Sequence, residues 1–232
     1  MTATVIRCQE LTKYYGKSRG VEDLTFEVRP GQVFGFLGPN GAGKTTTIRC
    51  LLGLLKPTGG TSFLFDGEVG LNDPAPHARI GYVPGDVAFY GNQTGKWTID
   101  YISGLRGTAP KSAVELCERL QYDPGRKVKE LSKGNRQKLA LVLALMHDPE
   151  LMILDEPTTG LDPLNQQQIF DIIAERITDH GASVFLSSHI LSEVERVCDR
   201  VGVIRQGRLV AEESTADIIA KAIRKVRVVY EE

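Results

Sequence analysis

The sequence predicts a mostly parallel α/β sheet, and three observations carry that prediction. Short apolar runs recur along the chain, stretches with apolar residues at helical spacing separate them, and one of the runs feeds directly into a glycine-rich loop. Strands alternating with helices read as parallel pairing, because parallel neighbours need a crossover between them.

Taken in order, Leu24 to Val28 alternates at period two, as a half-buried strand does, and Val33 to Leu37 is a continuous apolar run of the kind that fills a fully buried strand. Lys44 to Leu55 reads as a helix stopped by Pro57 and Gly59-Gly60, and Thr61 to Phe65 returns as a strand before Asp66-Gly67. Ile80 to Val83, Leu151 to Leu154, Ser183 to Leu186 and Val201 to Ile204 are further short strands, with Gln166 to Ile177 as a helix among them. Between Val83 and Leu151 the pattern turns helical over Thr98 to Leu105, Ser112 to Leu120 and Lys133 to Met146, so about residues 87 to 148 read as a helical subdomain inserted into one domain spanning residues 1–232. Gln206-Gly207, between Val203-Ile204 and Leu209-Val210, reads as a hairpin turn.

Composition narrows the function classes. Lys plus Arg number 28 and Asp plus Glu 29, a net charge of −1, which lacks the basic excess of a general nucleic-acid binder. The 24 glycines among 232 residues exceed the usual share of roughly 7% and point to specialised loops. Cys8, Cys50, Cys117 and Cys198 are widely spaced with no CxxC pair, so they read as buried free thiols of a reducing cytosol rather than as zinc ligands. The start of the chain lacks the apolar core of a signal peptide. Its longest apolar stretch, Leu139 to Met146, falls far short of the ~20 residues that span a bilayer, so the chain is expected to be soluble by itself.

Gly38-Pro39-Asn40-Gly41-Ala42-Gly43-Lys44-Thr45 fits GxxxxGK[ST] and lies between a predicted buried strand and a predicted helix, which is the context that motif requires. Glycines let the backbone close around a polyphosphate with N–H groups pointing inward, and the helix adds its positive dipole end. Lys44 would neutralise the β- and γ-phosphates and Thr45 would hold Mg²⁺. Leu151-Met152-Ile153-Leu154-Asp155-Glu156 is an apolar strand ending in two carboxylates, with Asp155 the metal-side candidate and Glu156 the water-polarising base. Acidic strand ends are often simply solvated; it is the pairing with the phosphate loop that favours the functional reading.

With these residues in view, the sequence resembles an ATP-binding-cassette (ABC) ATPase from Val5 to about Ile219, and five ordered motifs carry the likeness. Gly38 to Thr46 resembles the Walker A loop and Leu151 to Glu156 the Walker B strand. Leu131-Ser132-Lys133-Gly134-Asn135-Arg136-Gln137-Lys138 resembles a variant of the LSGGQ signature, Thr159-Gly160-Leu161-Asp162 the D-loop, and Ser187-Ser188-His189 the switch histidine. The resemblance implies a P-loop NTPase fold with a RecA-like core, an antiparallel β subdomain and the inserted helical subdomain. It implies ATP and Mg²⁺ as ligands and a head-to-tail dimer, of two copies or with a related ATPase chain. In that dimer Ser132 and Gly134 would offer hydroxyl and backbone N–H to the partner's γ-phosphate. Ser132 also reads as an ordinary helix N-cap, which is compatible. By the same resemblance Tyr15, followed by Gly16, is the aromatic that stacks on adenine, although Tyr14 stands beside it; His189 holds the γ-phosphate and water. His77, His147 and His180 match nothing, and the basic run Lys221 to Arg227 reads as a solvated helix face.

Two segments depart from the family pattern. Lys133 stands where the signature's first glycine is expected and Asn135 where its glutamine is. In Ile80-Gly81-Tyr82-Val83-Pro84-Gly85-Asp86, Gly85 stands where the family's Q-loop glutamine is expected, so that glutamine's role has no carrier there, and Asp86 reads as loop-capping or solvated rather than as its substitute. The expected function is ATP hydrolysis energising a separate integral-membrane permease, most like bacterial ABC-2 drug-export subunits, at the inner face of the cell membrane and without nucleic acid. The rivals are a non-transport ABC clamp, which usually carries two cassettes, a zinc insertion or a coiled-coil arm, and a GTPase or small-molecule kinase; no guanine-reading NKxD segment occurs, and the signature and D-loop resemblances argue against both of the latter.

Overall fold

Two sheets, built from one computed structural model that describes residues 4–107, 109–110 and 112–222, frame the molecule. In chain order the elements are β1 (Ile6–Tyr15), β2 (Ser18–Val28), β3 (Val33–Leu37), α1 (Lys44–Leu51), β4 (Gly59–Leu64), β5 (Gly67–Glu68), β6 (Ile80–Val83), α2 (Gly95–Arg106), α3 (Ala113–Arg119), α4 (Lys133–Leu145), β7 (Leu151–Asp155), α5 (Pro163–His180), β8 (Ser183–Ser188), α6 (Leu191–Val197), β9 (Arg200–Arg205), β10 (Arg208–Ser214) and α7 (Thr215–Ala222). The larger sheet has the order β10-β9-β3-β8-β7-β6. Its strands run parallel from β9 across to β6, and only β10 is antiparallel. The smaller sheet, β2-β1-β4-β5, is antiparallel throughout.

The continuous apolar runs have a direct cause: both faces of the parallel sheet are covered, so side chains of either parity need to be apolar. Phe34, Phe36, Ile153 and Phe185 face α1 and the antiparallel sheet. Met152, Leu154, Val184 and Leu186 face the opposite layer with α4 and α5. On the first side Phe26 of β2 packs its ring 5.5 Å from Phe34, 5.6 Å from Phe36 and 5.8 Å from Phe185, which pins the antiparallel sheet to the parallel one. Each such ring, fully buried, stabilises by about 1.5–3 kcal/mol.

Several elements differ from their expected limits for identifiable reasons. The helix expected over Lys44 to Leu55 ends at Leu51, because Gly53 turns left-handed (φ 64°) and the Leu54 and Leu55 amides fold back onto the Arg49 carbonyl. Phe65 is not the end of a strand: Phe65 and Asp66 both have positive φ (50° and 66°) and turn the chain from β4 into β5, with the Arg79 guanidinium 3.7 Å over the Phe65 ring. β1 went unrecognised because Glu10 has a positive φ (51°) and register shifts break its alternation. The helix expected over Gln166 to Ile177 is longer at both ends, capped by Asp162, whose carboxylate accepts from the Leu164 and Asn165 amides, and closed by left-handed Gly181. Gln206 and Gly207 (φ 50° and 79°) form the hairpin turn between β9 and β10.

From β6 to β7 the described chain carries α2, α3 and α4 and no strand longer than one bridge, Thr94 to Lys127. All four cysteines are buried free thiols, and burial pushes the Cys8, Cys50 and Cys198 thiols up, Cys50 to about 11. His77 and His147 bond the Leu52 and Ile80 carbonyls, and His180 meets Arg176. Of the basic run Lys221 to Arg227, all but the backbone of its first two residues lies outside the described residues.

Candidate functional site

Parallel pairing brings the C-terminal ends of three strands to one edge. Leu37 at the end of β3 pairs with Ser188, and Asp155 at the end of β7 pairs with Ser187 of β8. Ligands of open α/β sheets bind at this end. Here the loop 38–43, the Asp155-Glu156 pair and the Ser188-His189 segment converge around a cleft of about 600 Å³ lined by Tyr15, Lys44, Thr45, Asp155, Glu156 and others.

The loop is glycine-rich out of steric necessity. A Cβ on Gly38 would lie 2.4 Å from the Ile204 carbonyl oxygen, a backbone atom that cannot yield. Lys44, at the start of α1, is almost wholly buried and donates to the Gly38 and Pro39 carbonyls at 2.7 and 3.2 Å. Its Nζ is also 3.1 Å from Glu156 Oε1. Burial alone would raise the Glu156 carboxyl, yet the hydrogen bond and charge of Lys44, aided by His189, hold it below its ordinary value. His189 Nδ1 stands 3.4 Å from the same Oε1.

Beside this pair, Thr45 donates from Oγ1 to Asp155 Oδ2 at 2.8 Å, and Ser187 donates to Asp155 Oδ1 at 2.5 Å. A buried carboxylate and a hydroxyl in contact make a hard-oxygen donor set that suits Mg²⁺, which typically takes one or two carboxylates and completes its shell from phosphates and water. Tyr15, rather than Tyr14, lines the cleft; it is 48% exposed, with its hydroxyl 3.4 Å from Thr46 Oγ1 and Lys13 Nζ 5.5 Å from its ring centre. Asn40, Gly41, Gly43 and Thr46 also line it.

A family model described as ABC transporter matches residues 21–159. The chain belongs to that family, as an ATP-binding subunit. It is 41% identical over 226 residues to the bacitracin transport ATP-binding protein BcrA of Bacillus licheniformis, covering 96% of this chain and 74% of that one. It is 37% identical over 231 residues to a fluoroquinolones export ATP-binding protein of Mycobacterium tuberculosis, covering 97% and 76%. Among solved structures, the ATP-binding subunit of an ABC transporter superposes with a TM-score of 0.85 at 28% identity, over 94% of this chain and 93% of that one.

In this ABC ATPase, Ser132 and Gly134 do not line the cleft formed by Lys44 and Glu156. Ser132 is exposed and caps α4, its Oγ accepting from the Asn135 amide at 3.2 Å, while Gly134 packs toward Leu161 and Gly160. Lys133 lays its aliphatic stem along Gly160. Where the Q-loop glutamine is expected, Gly85 sits so close to the strand end that a Cβ would meet Asp155 Oδ2 at 3.3 Å. Sequence reasoning missed Arg19, Arg49 and Tyr82, all of which line the cleft. Arg49 was within reach of it, since it stands four residues after Thr45 on α1 and shares its face. Arg19 is held at 3.0 Å by Glu22, and burial, with the Asp155 charge adding to it, pushes the Tyr82 phenol up to about 12.

Proposed function

We propose that this ABC ATPase hydrolyses Mg²⁺-ATP in the cleft between Lys44 and Glu156, within a dimer, and that it energises export through a separate membrane subunit. The observation that carries this reading is the convergence of Lys44, Thr45, Asp155, Glu156 and His189 at one sheet edge. The family assignment supports the coupling to transport, and the names of the two relatives, bacitracin transport and fluoroquinolones export, favour export of a drug-like molecule. The clamp reading finds no comparable support.

Each side chain then has a task. Lys44 leaves Glu156 for the β- and γ-phosphates, the backbone N–H groups of residues 40–41 and 43–46 surround the phosphate chain, and Tyr15 stacks on the base. Thr45 and Asp155 would hold Mg²⁺, which when bound neutralises charge on the phosphate oxygens. Once Lys44 is withdrawn, Glu156 is free to accept a proton from the attacking water, and His189 is in reach of the same region. Ser132 and Gly134 stand outside the lining of their own chain's cleft, as they would to serve a partner's.

For the membrane subunit, we propose docking on the aromatic patch of α2 and the segment before it. Trp97 and Tyr101 stack at 4.9 Å, Tyr90 meets Trp97 edge-on at 6.0 Å, and all three are exposed. They adjoin an apolar groove lined by Ala88, Phe89 and Ile102. Among the described residues no helix is long and apolar enough to cross a membrane. The test is affinity purification from detergent-solubilised membranes: a polytopic protein should accompany the wild type and be lost with a Trp97→Ala/Tyr101→Ala double variant. Recovery of the chain without any membrane protein would sink the transport role.

A further inference from the structure

The buried carboxylate of Glu193, which the motif reading leaves without a task, grips both sides of the Glu156–His189 pair. Glu193 lies on α6 and is only 7% exposed. Its Oε1 accepts from Thr158 Oγ1 at 2.6 Å and its Oε2 accepts from Ser188 Oγ at 2.5 Å. Thr158 follows Glu156 by two residues, and the next residue, Thr159, donates to Glu156 Oε2 at 3.3 Å. Ser188 immediately precedes His189, and its Oγ accepts from the Ile190 amide at 3.0 Å, so the turn that aims His189 is fastened to the same hydroxyl.

One carboxylate thus ties the chain just after β7 to the chain just after β8. Strand pairing stops short of these segments, the last rungs being Asp155 with Ser187 and Leu37 with Ser188. One further backbone bond, from the Glu156 amide to the Ser187 carbonyl at 3.1 Å, continues the ladder; beyond it no strand pairing holds residues 157–159 or His189, and the bonds after the strands aim the two side chains. Among the described residues Glu193 has no ion pair, and its two oxygens are shared between two hydroxyls on different segments. A side chain this buried gives up solvation that its two hydroxyl bonds replace, and those bonds join two separate segments, which favours a geometric reason for its presence.

We propose that Glu193 is a positioning residue for ATP hydrolysis, setting the distance between Glu156 and His189 by clamping Thr158 to Ser188. The inference rests on the roles proposed above for Glu156 and His189. A displacement of about 1 Å at reacting groups can cost 10²-fold in rate, so loosening this clamp should act on turnover and leave nucleotide binding by the loop 38–46 untouched.

The test compares Glu193→Ala, Glu193→Gln, Thr158→Val and Ser188→Ala in the full chain, together with whatever membrane subunit co-purifies, reading kcat and KM for ATP, the affinity for a fluorescent ATP analogue, and the thermal midpoint. Glu193→Ala should lower kcat tenfold or more with affinity within about twofold, and Glu193→Gln, which keeps an oxygen for one hydroxyl and an amide for the other, should recover most of the loss. Should Glu193→Ala fail to fold, Thr158→Val and Ser188→Ala carry the test: each should lower kcat, and the pair should lose less than the product of the single effects. Unchanged kcat in Glu193→Ala, or in the two hydroxyl variants, overturns the proposal, as does a loss of affinity equal to the loss of kcat. A Glu156→Gln control separates the two readings: if it hydrolyses ATP like wild type, the assignment of Glu156 fails; if it is inactive while Glu193→Ala is not, only the clamp fails.

Discussion

Lys44 Nζ and Glu156 Oε1 stand 3.1 Å apart, with the ammonium side chain 4% exposed and the carboxylate 20%. The cation proposed to meet phosphate and the base proposed to activate water therefore neutralise one another. On the proposed reading a triphosphate would compete for Lys44 with far more negative charge than one carboxylate, so nucleotide entry would also release the base.

Lys44→Ala removes the proposed phosphate cation and leaves Glu156 with only His189 and Thr159 beside it. Hydrolysis should fall by about 10²–10³ or more, the range for loss of one preorganised donor at a developing charge. A steady-state phosphate-release assay on purified protein measures it, and wild-type turnover would contradict the assignment of the loop.

The same pair makes a pH prediction. Glu156 is held below its ordinary value because Lys44 and His189 outweigh burial. A depressed folded-state value means that the stability it contributes is fully present above the unfolded carboxylate value and is lost as pH falls through the lower, folded one. In Lys44→Met the main opposing cause disappears and burial remains, so the titration of Glu156 should move upward. Carboxyl ¹³C shifts followed by NMR against pH would show it; a titration unchanged by Lys44→Met would mean that the ion pair does not persist in solution.

Glu156→Gln should bind ATP but turn it over at least a hundredfold more slowly, since a general-base contribution is worth about 10²–10⁴. ATP should then hold two chains together, and light scattering should report dimer with ATP and monomer with ADP. Monomer at saturating ATP would count against a site shared between chains.

How much of this was readable beforehand depends on the range of the cause. The loop 38–45 and the Leu151 to Glu156 strand are local patterns, so their places were legible from composition and spacing alone. The β1 strand was not, because its bulges are tolerated by pairing with both β2 and β4, a non-local compensation. Glu193 was invisible for the same reason: it meets Thr158 across 35 residues of chain, through a parallel register that no window of sequence displays. The end of α1 at Leu51 was masked by Leu52, Leu54 and Leu55, which prolong the apolar pattern after the backbone has turned.

Ser132→Ala separates a cap from a contact made in trans. Losing the bond to the Asn135 amide should cost about 1 kcal/mol of stability. Since Ser132 does not line the cleft of its own chain, ATP affinity of the monomer should be unchanged, while ATP-dependent dimer in the Glu156→Gln background should weaken. Equal dimerisation with and without the hydroxyl would leave Ser132 a cap and nothing more.

The position of Gly85 raises the question of what, if anything, does the work of the glutamine expected there. Glycine lets this loop approach Asp155 closely, and Asp86, the next residue, lines the cleft and is the nearest alternative oxygen donor in sequence. Asp86 is exposed, however, and among the described residues no hydrogen bond or ion pair fixes it. A free, solvated carboxylate is screened and unoriented, and near a triphosphate its charge repels where a neutral amide would not. Thr45 and Asp155, by contrast, are already in contact at 2.8 Å, and Ser187 braces the second oxygen of Asp155. On the proposed reading the metal side would therefore be complete enough without residue 86, since Mg²⁺ typically completes its shell from water and phosphate oxygens. Asp86→Ala should change Mg²⁺-dependent hydrolysis by less than tenfold, below about 1.4 kcal/mol in barrier. A hundredfold loss with the fold intact by circular dichroism would instead make Asp86 the working substitute, and Asp86→Gln would then be expected to retain activity that Asp86→Ala loses.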